Sequence, residues 1–150
     1  MTKLLSEAGL AQYQRDGFHS PIDILSPDEA SALRTRLEGF EARDGKPLAG
    51  GMRHKAHLLF TWLNELVHHP RILDAVEDVL GPDLLCWSST FFIKEAHDPG
   101  FVSWHQDATY WGLSSPDVIT AWVALSPATL ESGAMRMVPG SHRIQHAHRE

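Results

Sequence analysis

The sequence predicts an α+β domain in which helices from the first half of the chain pack outside a mainly β core formed by the second half. Residues 1–83 carry helical periodicity, whereas residues 84–150 consist of short β-branched and aromatic stretches separated by turn residues. The chain has 150 residues, of which 43% are hydrophobic and 21% charged. This length and composition suit one globular domain with its own core, so we predict a single domain over 1–150.

The clearest helix signal is the stretch "SPDEASALRTRLEGF". Ser26 can cap the helix, Pro27 suits the first helical position, and Glu29 completes a capping box. Apolar residues then recur at helical spacing. The pattern predicts a helix over about 27–42.

Two further helices are predicted before residue 84. In "HPRILDAVEDVLGPD", Pro70 stands at the start, an apolar stripe follows, and Gly81 with Pro82 ends the helix. A shorter helical stretch, "LLFTWLNELVHH", precedes it. The apolar stripes predict that both helices pack against a core.

From Leu84 onward the pattern is typical of strands. The segments that predict them are "LLCWSSTFFIK", "FVSWHQD", "VITAWVAL" and "GAMRMVP", separated by "HDPG", "SSPD" and "LESG". Short strands joined by loops indicate an antiparallel sandwich or barrel.

Charge and residue usage limit the classes of partner and compartment. A net charge of −6 argues against nucleic acid or an anionic membrane as the main partner, and the apolar runs are too short to span a bilayer. Glu7 and Asp16 interrupt the N-terminal region, where a signal peptide would need an unbroken apolar stretch. Cys86 is the one cysteine in the sequence, so no intrachain disulfide can form, which suits a reducing compartment. We therefore predict a cytoplasmic protein. The sequence leaves its oligomeric state open.

The stretch "FVSWHQDATYWGL" contains a candidate metal-binding pair, His105 and Asp107. On a strand, residues two apart point to the same face, so the imidazole and the carboxylate would converge. One histidine and one carboxylate are two-thirds of the facial triad that holds non-haem Fe(II). The alternative is a solvent-facing pair at a strand end, because about one such pair is expected by chance in a chain this rich in both residues.

Three ordered blocks, "WHQDATYWGL", "VITAWVAL" and "SGAMRMVPGSHR", resemble the phytanoyl-CoA dioxygenase family of Fe(II)/2-oxoglutarate-dependent oxygenases. The similarity extends back through "FFIK", "HHPRILDAVEDVLGPD" and "RHKAHLLF", and so covers nearly the whole chain. The resemblance implies helices packed on a double-stranded β-helix, a cupin-like jelly roll. It also implies a hydroxylase that uses Fe(II), 2-oxoglutarate and O2, acts on an unactivated C–H of a small organic substrate, and releases succinate and CO2.

The resemblance also implies roles for individual residues. His105 and Asp107 match the first two iron ligands, and no catalytic residue is implied beyond the metal ligands. Lys55, Thr90 and Trp122 match positions that contact or line the 2-oxoglutarate site. Lys55 could equally be a solvated surface lysine, and Trp122 could serve in core packing. A carboxylate at Asp107 favours hydroxylation, because related halogenases have a small residue there.

Tyr110 and Trp111 follow the ligand motif and are candidates for shaping the substrate pocket. Aromatic residues at these positions could instead belong to the core or to a lid. No run of Lys or Arg indicates a coenzyme A pocket, so a small polar metabolite is favoured as substrate. The sequence does not identify that substrate.

The family pattern breaks after the "PGSH" block. The resemblance implies a third ligand, a histidine well downstream, followed by an arginine, and none of the late histidines matches it: His142, His146 and His148. We therefore expect a C-terminally truncated domain that holds only the first half of the β-helix. Three alternatives follow: an inactive fragment or non-catalytic β-rich binding module, a zinc or nickel site on His142 and His146, and a cupin-like isomerase or hydrolase.

Overall fold

The computed structural model describes residues 2–148, which form five α-helices and three short 3-10 turns. The helices are α1 (Glu7–Asp16), α2 (Pro27–Asp44), α3 (Thr61–Val67), α4 (Pro70–Leu80) and α5 (Ala108–Trp111), and the 3-10 turns are Gly50–Arg53, Ala56–Leu58 and Ser141–Arg143. None of these helices is long and apolar enough to cross a membrane.

Helix α2 begins and ends as its local sequence indicates. The backbone N–H of Glu29 donates to Ser26 Oγ at 3.2 Å, and the backbone N–H of Ser26 donates to the Glu29 carboxylate at 2.7 Å. Gly45 follows the helix in the left-handed conformation, φ 72°, and its N–H donates to the carbonyl of Glu41. The predicted helix and its capping box are confirmed.

The two helices predicted before residue 84 are also confirmed, as α3 and α4. Pro70 occupies the first turn of α4, and Gly81 ends it with φ 86°, a backbone conformation that favours glycine. Helix α4 buries Ile72 and Ala75, so its apolar stripe does face the protein interior.

The N-terminal segment is fixed to α4 by one carboxylate. Asp78 accepts hydrogen bonds from the backbone N–H groups of Lys3, Leu4 and Leu5 at 2.6–2.8 Å. Burial opposes ionisation of this carboxylate, but the three donors outweigh it, so the pKa of Asp78 is lowered from its usual value. Lys3 adds an ion pair to Glu77 at 2.7 Å.

The hydrophobic core lies among the N-terminal helices. Its centre is Ala56, Trp62 and Leu63, against which Leu33, Leu37, Phe60, Leu66 and Phe91 pack. The Trp62 ring lies 5.9 Å from that of Phe60 and 6.0 Å from that of Phe91. Phe91 therefore joins the second half of the chain to this core.

The predicted β core is wrong for residues 2–148, which contain no strand; the only β-type pairing described is an isolated bridge between His54 and Thr90. β-forming side chains indicate a preference for an extended conformation, but a strand also needs a backbone partner, which a local pattern cannot supply. The four segments run irregularly instead. Many of their large apolar side chains are exposed, among them Leu85, Trp87, Phe92, Phe101, Val102, Trp104, Trp122, Met135, Met137 and Val138.

Candidate metal and co-substrate site

His105 and Asp107 are in direct contact, with Nε2 and Oδ1 2.9 Å apart. The contact does not arise from alternation along a strand, because residues 101–107 are not a strand. Asp107 has helical torsion angles, φ −52° and ψ −45°, and its carbonyl accepts a hydrogen bond from Tyr110 N–H of α5. A turn that leads into α5 therefore brings the two side chains together.

Other residues contact His105 Nδ1 and Asp107 Oδ2, so His105 Nε2 and Asp107 Oδ1 face each other. His105 Nδ1 lies 2.7 Å from the carbonyl oxygen of Ser103, which can only accept, so Nδ1 carries the hydrogen. A histidine that binds a metal commonly donates its other N–H to a backbone carbonyl in this way. The hydroxyl of Thr120 donates to Asp107 Oδ2 at 3.4 Å, which leaves Oδ1 towards the ring.

This geometry fits two adjacent ligands of one metal ion. In a neutral ring, Nε2 and the carboxylate Oδ1 would both present lone pairs, so their approach to 2.9 Å requires a proton or a cation between them. Ligand atoms that each lie about 2.1 Å from a metal and at right angles are about 3 Å apart. The side chains of His105 and Asp107 are 34% and 47% exposed, so an ion can reach them.

No third ligand joins the pair within the described part of the chain, where no cluster of three or more His, Cys, Asp or Glu residues could hold a metal. His148 Nε2 accepts a hydrogen bond from the backbone N–H of Gln106 at 2.7 Å. His142 Nε2 lies 3.2 Å from the carbonyl oxygen of Gln14 on α1. Residues 2–148 therefore give no support to a zinc or nickel site on the late histidines.

The structure brings Lys55 and Thr90 to neighbouring positions. The backbone N–H of Lys55 donates to the carbonyl of Ser89 at 2.6 Å, directly beside the bridge between His54 and Thr90. Buried His57 fixes the same loop, because its Nδ1 lies 2.7 Å from Ser89 Oγ. The backbones of Lys55 and Thr90 are therefore neighbours, and both residues are exposed to solvent. The Thr90 hydroxyl lies 3.3 Å from His54 Nδ1.

The remaining predicted residues have different surroundings. Tyr110 places its ring 6.0 Å from the ring of His105, whereas Trp111 packs against Trp87 at 5.5 Å. Trp122 is exposed, so core packing does not account for it among the described residues.

An open cleft of about 580 Å³ lies between α5 and residues 145–148. Its lining residues are Thr109, Tyr110, Gln145, His146, Ala147 and His148. Because Tyr110 borders both this cleft and His105, a molecule in the cleft would lie near the predicted metal pair.

Sequence reasoning missed three residues that organise this site: Ser103, Gln106 and Thr120. Ser103 acts through its backbone carbonyl, which carries no signal in the sequence. Thr120 lies in the "VITAWVAL" block, but nothing in that block indicates that the Thr120 hydroxyl contacts Asp107. Gln106, between the two predicted ligands, bonds to residues 141–148. A polar residue between two ligand positions was the one available signal.

Comparison with known protein families gives a match to the model described as phytanoyl-CoA dioxygenase over residues 13–150. Among curated proteins, the chain is 30% identical over 148 residues to L-proline trans-4-hydroxylase of Streptomyces griseoviridis, covering 91% of this chain and 54% of that protein. It is 26% identical to ectoine dioxygenase of Halomonas elongata, covering 93% and 47%. The chain thus spans about half the length of the curated relatives it matches.

Two further similarities cover less of the chain. A probable alpha-ketoglutarate-dependent hypophosphite dioxygenase of Stutzerimonas stutzeri is 30% identical over 87 residues, covering 58% of this chain and 30% of that protein. Among solved structures, CytC3 with Fe(II) and alpha-ketoglutarate is 28% identical with a TM-score of 0.48, covering 61% of this chain and 36% of that chain.

Proposed function

The chain belongs to the phytanoyl-CoA dioxygenase family, and from this premise we propose that the whole protein is an Fe(II)- and 2-oxoglutarate-dependent dioxygenase that hydroxylates a small organic substrate. The observation that carries the proposal is the 2.9 Å approach of His105 Nε2 to Asp107 Oδ1. The names of the relatives, a proline hydroxylase and ectoine dioxygenases, agree with this reaction class.

His105 and Asp107 would hold the iron, which when bound supplies the O2-dependent redox chemistry that consumes 2-oxoglutarate and releases succinate and CO2. The protein's own contribution is orientation. The Ser103 carbonyl fixes the tautomer of His105, and the Thr120 hydroxyl adds a weak contact of 3.4 Å to the second oxygen of Asp107.

Lys55, Thr90 and Trp122 are proposed to bind 2-oxoglutarate. An ammonium and a hydroxyl at neighbouring positions suit a dicarboxylate, because the charge attracts it and the hydroxyl can donate to it. The bonds of Lys55 N–H and His57 to Ser89 give these side chains a fixed loop as support.

The substrate is proposed to be a small polar metabolite. The cleft beside Tyr110 offers hydroxyl, amide and imidazole groups that can bind the polar groups of such a solute. Proline and ectoine, named for two relatives, are molecules of this size and character.

The direct test is anaerobic addition of Fe(II) and 2-oxoglutarate to the whole protein, followed by visible absorption. We expect a charge-transfer band that His105→Ala and Asp107→Ala abolish. His68→Ala is the matched control, since His68 is exposed at the end of α3 and its side chain bonds to the Asn64 carbonyl of its own helix. No band in the whole wild-type protein, or a band that survives His105→Ala, would contradict the proposal.

A non-catalytic binding module is the second candidate, favoured by the lack of a third metal-binding side chain in residues 2–148. Succinate release separates the two. The dioxygenase releases succinate when O2 is admitted with 2-oxoglutarate, whereas a module that only binds releases none above the His105→Ala background.

A further inference from the structure

Gln106 lies between the two predicted metal ligands, yet its bonds reach a segment 35 to 42 residues further along the chain. Its side-chain Nε2 donates to the carbonyls of Ser141 and Ile144, each at 3.0 Å. Its Oε1 accepts from the backbone N–H of His146 at 2.9 Å, and its own backbone N–H donates to His148 Nε2 at 2.7 Å. Both hydrogens and the oxygen of the amide are therefore used.

These four bonds join the turn of the metal pair to the wall of the cleft. Residues 145–148 line the cleft opposite Tyr110, whose ring lies 5.6 Å from His148 and 6.0 Å from His105. The other polar contact between α5 and this wall, Gln145 Nε2 to Thr109 Oγ1, is 3.4 Å long and correspondingly weak. Gln106 thus makes the main polar connection between the 105–107 turn and residues 141–148.

We propose that Gln106 is a positioning residue, an amide clamp that holds residues 141–148 against the 105–107 turn and so fixes both the metal pair and the cleft wall. The metal part of this inference rests on the proposed function. Because residue 106 lies between His105 and Asp107 in the chain, fixing it also restricts the backbone that carries both ligand side chains. Groups that orient metal ligands typically change metal affinity about 10- to 100-fold when they are removed.

The test compares Gln106→Glu, Gln106→Ala and the control Asn64→Ala in the full chain. Glutamate keeps the size of glutamine and can accept from His146 N–H, but it cannot donate to the carbonyls of Ser141 and Ile144. Asn64 carries an exposed side-chain amide on α3. Its replacement removes an amide away from the clamped segment and should change neither readout.

Two readouts are measured on each variant. The first is the rate of tryptic cleavage after Arg143, which is exposed within the clamped segment. The second is anaerobic Co(II) affinity, followed by the visible spectrum of the bound ion. We expect both Gln106 variants to raise the cleavage rate about 10-fold and to weaken Co(II) binding about 10-fold or more, with an altered Co(II) spectrum. A wild-type cleavage rate, or faster cleavage with unchanged Co(II) affinity and spectrum, would overturn the inference.

A failure of the proposed function gives a different result. In that case His105→Ala would leave Co(II) binding unchanged, which overturns the metal part of the inference together with the proposed function. The cleavage rates still decide whether Gln106 anchors residues 141–148, because His105 makes none of the four bonds.

Discussion

Residues 2–83 and residues 84–148 are stabilised in different ways. Every buried residue of the described chain lies between Leu5 and Ala75, whereas residues 84–148 contain none. Yet the predicted metal pair, His105 and Asp107, lies in the second region. The predicted metal ligands therefore lie outside the part of the chain that carries the hydrophobic core, whereas Lys55, a predicted co-substrate residue, lies within it.

The second region is held mainly by polar bonds between side chains and backbone. Gln106 bonds to three backbone groups of residues 141–148. Ser132 Oγ accepts from Thr129 N–H at 2.8 Å and donates to the Pro127 carbonyl at 3.1 Å. Bonds of this kind contribute about 1 kcal/mol each when exposed, so this region should open more readily than the helices.

The largest expected effect comes from two tryptophans, one in each region. Trp62 is 9% exposed and packs in the core, whereas Trp104 is 62% exposed. Trp62→Ala should lower the free energy of unfolding by about 3 to 5 kcal/mol, because it leaves a cavity among well-packed neighbours. Trp104→Ala should change it by less than about 1 kcal/mol. Urea unfolding followed by circular dichroism at a helix wavelength measures both.

If Trp62→Ala and Trp104→Ala lower the free energy of unfolding by similar amounts, the two regions do not differ in the way described. Trp104 has one specific contact, Arg136 at 5.8 Å over its ring, and an exposed contact of that type is worth about 0.5–1 kcal/mol. A loss of several kcal/mol at Trp104 would show that the second region has a core of its own.

A smaller effect is expected at Asp78, which fixes the N-terminal segment to α4. Asp78→Asn should cost about 1 kcal/mol at neutral pH, because the carboxylate is only partly buried and its bonds are partly screened by solvent. The pKa of Asp78 is lowered in the folded protein, so its contribution is fully present above the ordinary carboxyl pKa. The contribution is lost as pH falls through the lowered value, below about pH 4.

The measurement for Asp78 is the stability difference between wild type and Asp78→Asn as a function of pH. The difference should be constant above about pH 5 and should shrink as the pH falls below about 4. A difference that grows on acidification would contradict the lowered pKa of Asp78 and the contacts that cause it.

The smallest effect on stability is expected at the exposed apolar residues Leu85 and Phe101, which are 88% and 85% exposed. Leu85→Ser and Phe101→Ser should change the free energy of unfolding by no more than about 0.5 kcal/mol. They should also reduce self-association, measured by sedimentation, because they shrink an exposed apolar surface. Leu63→Ser, at a buried position, is the contrasting variant and should lower the free energy of unfolding by about 2 to 4 kcal/mol.

What the sequence could predict depends on how local the signal is. The Ser26 capping box and the Gly81 stop are contained within a few residues of the helix ends, and the structure has both. Helix α1 has equivalent local signals in Ser6 and Gly17, which residue-level reasoning did not use. The predicted strands failed because pairing depends on partners far along the chain.

At the candidate site, too, contacts between residues close in sequence were predictable and contacts between distant residues were not. The sequence identified His105 and Asp107 and expected them to converge, and they do lie in contact, although a turn rather than a strand brings them together. The contact of Gln106 with residues 141–148 and that of Thr120 with Asp107 span long stretches of chain, so no local pattern shows them.

The most direct test of His105 and Asp107 as metal ligands is an NMR titration of the isotopically labelled full chain with Mn(II), which broadens the signals of nuclei near its binding site. We expect the amide signals of Ser103 to Tyr110 to broaden first, together with that of Thr120, and Asp107→Ala to remove this selective broadening. Broadening that begins elsewhere, or that is unchanged in Asp107→Ala, would contradict the assignment of His105 and Asp107 as metal ligands.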